Sequence, residues 1–324
     1  MIDCLARQQA AATKRNARPA GVLALVLLML TLAGCAGTPR LADSTEQALT
    51  RQLLLDDVPF HAQRDYQCGP ASLAMVLNDA GVDVEVDTLI PQVFLPGRDG
   101  SVQPEMLATV RRHGRIPFVI DGRLEALLLE LDAGHPVVVM QNLSLPAWPM
   151  WHYAVAIGFD LERNELILHS GEEPRRVESF RRFDATWARS ERWAFVALPP
   201  GELPAGVRPH RAMEAISAFE RLQGAETALP AWEALAERFT DNGLVFFGLG
   251  NARHATGDAS AAIAAFERAV DAQPGLAVAW LNLGLARRDQ GDAAGATRAL
   301  EQAAALPGHW QPHARQALET REER

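Results

Sequence analysis

Apolar positions along the chain change their period twice. After a short basic opening, residues 21 to 34 (GVLALVLLMLTLAG) are almost unbroken apolar. From about residue 56 the spacing is mixed. Leu73, Val76, Leu77 and Ala80 recur at helical intervals with Gly81 behind them, which predicts a helix starting after Cys68. PEMLATVRRHG (104–114) and LEALLLELDAG (124–134) each read as a helix closed by a glycine. Then come IPFVI (116–120), PVVVMQN (136–142), HYAVAIGFD (152–160), ELILHS (165–170) and RWAFVAL (192–198), short, apolar and rich in β-branched residues, the pattern of strands. Helices first and clustered strands afterwards predict an α+β layout over an alternating doubly wound one.

PPGELPAGVRP (199–209) is a Pro/Gly-rich break and divides a domain at 56–200 from one at 208–324. Beyond it the composition turns to Ala, Leu, Glu and Arg, and a repeat emerges. Gly250 and Gly284, Ala252 and Ala286, Gly257 and Gly291, Asp258 and Asp292, and Glu267 and Glu301 recur at one spacing of roughly 34 residues. Small residues where two helices cross, Gly-Asp at the turn and Pro at the end resemble the tetratricopeptide repeat. An earlier degenerate copy covers about 210–241, with Trp232 in the place of Phe266. The resemblance implies an all-α solenoid of stacked helix pairs that holds a protein partner and does no chemistry.

The N-terminus changes what counts as the mature chain. Lys14, Arg15 and Arg18 precede the apolar run, which is a secretory signal in character and too short to span a membrane with assurance. It ends in LAGC (32–35), which resembles a bacterial lipoprotein signal at residues 1–35, with Cys35 as the lipidated residue. Ala36, not Asp, follows. The resemblance implies a lipid-anchored protein of the bacterial cell envelope, at the outer membrane and facing the periplasm. Residues 36–55 then read as a tether, polar first and helical toward its end.

At 324 residues, with 48% hydrophobic and 22% charged positions, the chain has the composition of a folded protein of two domains. Its net charge of −9, with no basic run, argues against nucleic acid as a partner. Spacings for a structural zinc site and for a phosphate-binding P-loop are both missing from the sequence, so no cofactor is expected.

Of 3 cysteines, Cys4 leaves with the signal and Cys35 would carry lipid, so Cys68 has no disulfide partner. Cys68-Gly69-Pro70 places the thiol at a helix N-terminus, since proline is tolerated in the first turn. There the macrodipole and free N–H groups favour a thiolate, and glycine leaves room for a substrate backbone. A small buried hydrophobe is the other reading of Cys68, and this window alone does not separate the two. A thiolate nucleophile needs a histidine. His152, at a strand mouth after a Trp/Pro-rich loop, suits a site wall; His61 and His135 are alternatives.

VPFHAQRDYQCGPASLAMVL (58–77), GHPVVVMQN and WHYAVAIGFD together resemble family thirty-nine of the papain-like cysteine peptidases, over roughly 56–200. The resemblance implies a papain-like α+β peptidase domain acting on a peptide or protein substrate. It casts Cys68 as nucleophile, His152 as base and Gln63 as oxyanion-hole donor, with Gln67 the weaker choice. The family orients its histidine with an Asp on the following strand. Here that strand ends in LHSG, so Ser170 or His169 occupies the place, and a hairpin turn near 160–164 brings Ser170, Glu172 and Glu173 toward His152. Two functions follow: an envelope-anchored cysteine peptidase, or a weak or inactive peptidase-like domain that binds peptides as a scaffold.

Overall fold

The computed structural model describes residues 40–62, 67–95, 97 and 100–319. The signal segment, Cys35 and Gln63 lie outside them.

Among the described residues the first elements are α1 (Asp43–Ala48) and β1 (Gln52–Leu54). It continues through α2 (Cys68–Asp79), α3 (Val86–Val93), the short β2 (Phe94–Leu95) and β3 (Gly100–Ser101), and α4 (Gln103–Arg112). β4 (Ile116–Val119) and α5 (Leu124–Asp132) lead into β5 (Val137–Asn142), β6 (Trp151–Asp160), β7 (Glu165–Ser170) and β8 (Glu173–Ser179). α6 (Phe180–Trp187) and β9 (Ala194–Leu198) close the domain. The α+β reading holds, and the three helices expected to stop at Gly81, Gly114 and Gly134 do so with those glycines at φ 79°, 71° and 89°.

β2 and β3 pair with each other, and the other strands form one antiparallel sheet in the order β4-β9-β5-β6-β7-β8, with β1 beside the far end of β6. Strand alternation gives the sheet two apolar faces. Val138, Tyr153, Val155 and Phe195 pack under Leu73, Val76 and Leu77 of α2. Val137, Val139, Ala154 and Leu166 pack under Leu127, Leu128 and Leu131 of α5.

Within the stretch read as a tether, residues 40–55 pack on the domain. Leu49 is buried in the core, Thr50 N–H donates to Asp132 Oδ1 and Gln52 Nε2 to Asp160 Oδ2. β1 satisfies its backbone on Asp160, Phe159 and Gly158, where a Cβ on Gly158 would meet Leu53 O at 2.3 Å. β8 and α6 were not legible in the pattern either. EPRRVES is an exposed edge strand whose Val177 faces solvent, so it has no apolar alternation to read.

Beyond residue 208 all elements are helices: α7 (Pro209–Gln223), α8 (Ala225–Arg238), α9 (Gly243–Ala255), α10 (Ala259–Ala272), α11 (Ala277–Asp289), α12 (Ala293–Ala305) and α13 (Gln311–Glu319). The repeat has a physical cause at each of its positions. Gly257 and Gly291 take φ 85° and 81° at the turns. Asp258 and Asp292 then cap the next helices, accepting from Ala261 N and Gly295 N. Gly250 and Gly284 allow Phe266 and Leu300 to lie on the neighbouring helix, where an added Cβ would meet them at 2.5 and 2.6 Å. Trp232, at the repeat position of Phe266, packs instead on Gly248 of the following helix, where an added Cβ would meet it at 2.3 Å.

The Pro/Gly-rich break does not separate two cores. α7 lies against β4 and α4, and one hydrophobic cluster runs from Phe118 and Leu127 through Ile216 and Phe219 to Phe266 and Leu283.

Candidate active site

Cys68 is the first residue of α2, with Pro70 in the first turn and Ala71 N–H donating to Gln67 O at 3.1 Å. The sulfur is a free thiol, half-buried against the α2 core, with backbone groups of Tyr153, Gly69 and Cys68 itself near enough to favour its charged form. The helix thus brings the thiol to β6 one residue from His152. Burial pushes the Cys68 thiol above its ordinary range, and the backbone donors only partly offset it. Burial thus works against the thiolate that a helix N-terminus favours.

Gly69 has a use other than the one expected. A Cβ there would meet Ser101 Oγ at 2.2 Å and Ser101 Cβ at 2.5 Å, so the room that glycine leaves is filled by β3 and not by a substrate. Tyr153 Oη donates to Ser101 O at 3.4 Å, so Tyr153 spans from the sulfur to β3. Burial, with the Cys68 charge second, raises the Tyr153 phenol far above its ordinary range. It stays protonated.

His152 Nε2 and Ser170 Oγ are 2.9 Å apart. The pairing of Val155 with His169 and Asp160 with Glu165, with an irregularity between Ala156 and Gly158, carries the end of β7 beside the start of β6. Ser170, and not Glu172, therefore bonds the imidazole: Glu172 stands exposed in the turn, and Glu173 pairs with Arg176 at 3.7 Å. Burial and, second, the charge of Arg176 hold His152 down at about 4, so the ring is neutral at physiological pH. Nδ1 has no hydrogen-bond partner among the described residues.

The other candidate histidines, and His169, have structural partners. His61 Nε2 lies 2.8 Å from Asn78 Oδ1, and His135 Nδ1 lies 3.0 Å from Glu130 Oε2. His169 is buried between Val58 O and the Arg175 N–H, each at 3.2 Å. Tyr153, Ser101 and Arg176 went unseen as site residues. Only alternation could have flagged Tyr153, as the core-facing neighbour of His152. Among the described residues no group of three or more His, Cys, Asp or Glu is arranged to hold a metal.

Residues 55–194 match the model of the Peptidase_C39 like family, and residues 245–275 match that of the tetratricopeptide repeat. No curated protein matches the chain. Among solved structures, a putative C39-like peptidase from Bacillus anthracis is 18% identical, with 46% of this chain and 98% of that one covered, at a TM-score of 0.40. The Sgt2 TPR domain from Aspergillus fumigatus is 20% identical over 36% of this chain and 79% of its own, at 0.32. MamA is 20% identical over 31% of this chain, at 0.29, and the chain spans 58% of that structure's length. Residues 55–194 are thus a domain of the Peptidase_C39 like family, joined in this chain to tetratricopeptide-repeat helices.

Proposed function

We propose that the C39-like domain is a cysteine peptidase of the cell envelope, anchored through Cys35, whose repeats recruit a protein partner. The observation that carries the chemistry is the sulfur of Cys68 on the Tyr153 backbone, one residue from a histidine whose Nε2 is engaged by Ser170. With Nε2–H donating to Ser170, Nδ1 keeps its lone pair; the resting structure forms no Cys68–His152 hydrogen bond, so the reading requires Nδ1 to reach the thiol and take its proton as sulfur attacks a peptide carbonyl. The C–N bond then breaks, and the imidazolium returns the proton to the leaving amine. Water, deprotonated by the same nitrogen, hydrolyses the thioester and restores the thiol. By family resemblance Gln63 is the donor to the oxyanion.

A second reading rests on the electrostatics. A raised thiol, a depressed imidazole and a cation in Arg176 all oppose an imidazolium–thiolate pair, and Ser170 brings no charge to offset them. This favours a weak peptidase, or a domain that holds peptides without cutting them.

The test is cleavage of a proteome-derived peptide mixture by the full chain, read by mass spectrometry. Cleavage lost in both Cys68→Ala and His152→Ala supports the peptidase; cleavage that persists in Cys68→Ala, or never occurs in the parent, sinks it. Palmitate labelling that is unchanged in Cys35→Ala would remove the anchor.

A further inference from the structure

The hairpin between β5 and β6 carries five exposed apolar side chains: Leu143, Leu145 at 59%, Trp148 at 75%, Met150 at 61% and Trp151 at 51%. Single exposed apolar residues are ordinary, but a contiguous set within one loop marks a recognition surface. This loop is also a built element. Asn142 is buried, and its Oδ1 accepts from both Ser144 N and Met150 N at 3.0 Å, pinning the two stems. Leu143 N–H donates to Met150 O, Trp148 N–H donates to Leu145 O, and Arg189 Nη1 donates to Ser144 O. The backbone is held while the apolar side chains stay in water.

Resting on the peptidase-like reading above, we propose that this hairpin selects the substrate: it takes a bulky apolar side chain of an extended peptide, two or three residues from the bond presented to Cys68. Position supports this. Residues alternate along a strand, so Trp151 shares the face of Tyr153, which packs in one cluster with Cys68. At about 3.3 Å per residue, Met150 and Trp151 lie roughly 7–10 Å along the strand from Tyr153, the reach of two to three residues of extended substrate. Charge supports it too. Residues 143–151 contain no charged side chain, and the chain has a net charge of −9, which disfavours an anionic lipid surface as occupant.

The experiment uses the full chain carrying Cys68→Ala, so that binding is read without cleavage. Two capped Gly/Ser decapeptides, one with a central Leu-Leu pair and one with Asp-Asp, are titrated while tryptophan emission and calorimetry are followed. The expected result is a blue shift and binding for the Leu-Leu peptide alone, weakened at least tenfold by adding Leu145→Ser and Trp148→Ser. Equal binding of both peptides, no binding of either, or binding indifferent to the two serines overturns the proposal. So does a blue shift produced by phosphatidylcholine vesicles in place of the peptide, or self-association that the two serines abolish. Binding retained by a chain that never cleaves sinks only the catalytic reading; cleavage by the parent that ignores the Leu-to-Asp exchange sinks only this one.

Discussion

Ser170 Oγ and His152 Nε2, 2.9 Å apart, form a contact between the end of β7 and the start of β6 in which neither partner carries charge. A hydroxyl fixes the ring and its tautomer. It cannot stabilise an imidazolium as a carboxylate does. The ring is therefore fixed in place with no negative charge beside it, and under the peptidase reading that pairing sets what each substitution does.

Ser170→Ala is expected to lower kcat severalfold, as the ring loses its anchor. Ser170→Asp places a carboxylate at the same position, so the His152 pKa rises from about 4 toward or above its ordinary range and kcat increases. Glu172→Gln leaves both unchanged. Histidine proton titration by NMR together with kcat checks all three. A large loss in Glu172→Gln with Ser170→Ala silent reverses the assignment.

Alkylation of Cys68 by iodoacetamide reads the resting protonation state. The thiol is raised and the imidazole depressed, so the pair is neutral from about pH 4 up to the raised thiol value. The rate is expected to be slow at about pH 5, slower at pH 7 than for an exposed cysteine, and still climbing above pH 9. A fast plateau from pH 5 to 8.5 would establish a pre-formed ion pair instead.

Much of this was legible because local rules and tertiary demands agree. A proline two residues after Cys68 starts a helix, glycines at positive φ stop three helices, and ELILHS is a strand bounded as its residues suggest. The thiol's protonation state was not legible. Helix polarity is local, whereas the burial that opposes it comes from a core assembled from distant sequence. The role of Gly69 was hidden for the same reason, since Ser101 reaches it across the fold. β1 and β8 were missed because paired edge strands need no apolar pattern of their own.

Glu130 is expected to fasten the segment between the two halves. It is buried, with Ala205 N–H and Gly206 N–H donating to its carboxylate at 3.1 and 3.2 Å and His135 at 3.0 Å. From the other side Arg238 Nη1 donates to Pro204 O at 2.7 Å. Glu130→Ala leaves two backbone donors without their acceptor and should cost about 1–3 kcal/mol. Thermal unfolding checks this. An unchanged midpoint would show that the segment is held by packing of α7 alone.

Stacked repeats contact only their neighbours, so damage to one helix pair should spread along the array by an amount set by its position. Gly250→Ala forces a methyl group into the Phe266 ring, which its Cβ would meet at 2.5 Å, in the middle of the helical half. Gly284→Ala forces one onto Leu300 at 2.6 Å, nearer the end. Each overpacking should cost about 1–3 kcal/mol. The consequences differ. Gly284→Ala should raise amide exchange in α11 to α13 and leave α7 protected, because α7 is also held by β4. Gly250→Ala should loosen α9 and α10 and, by removing the surface on which α11 stacks, everything beyond them. Cys68 alkylation should be unchanged in both, since α2 packs on the opposite face of the sheet from the cluster that enters the repeats. Hydrogen exchange read by mass spectrometry distinguishes these patterns. Uniform deprotection of sheet and helices in Gly284→Ala would instead make the chain a single cooperative unit, with its continuous core outweighing the modularity of the repeat.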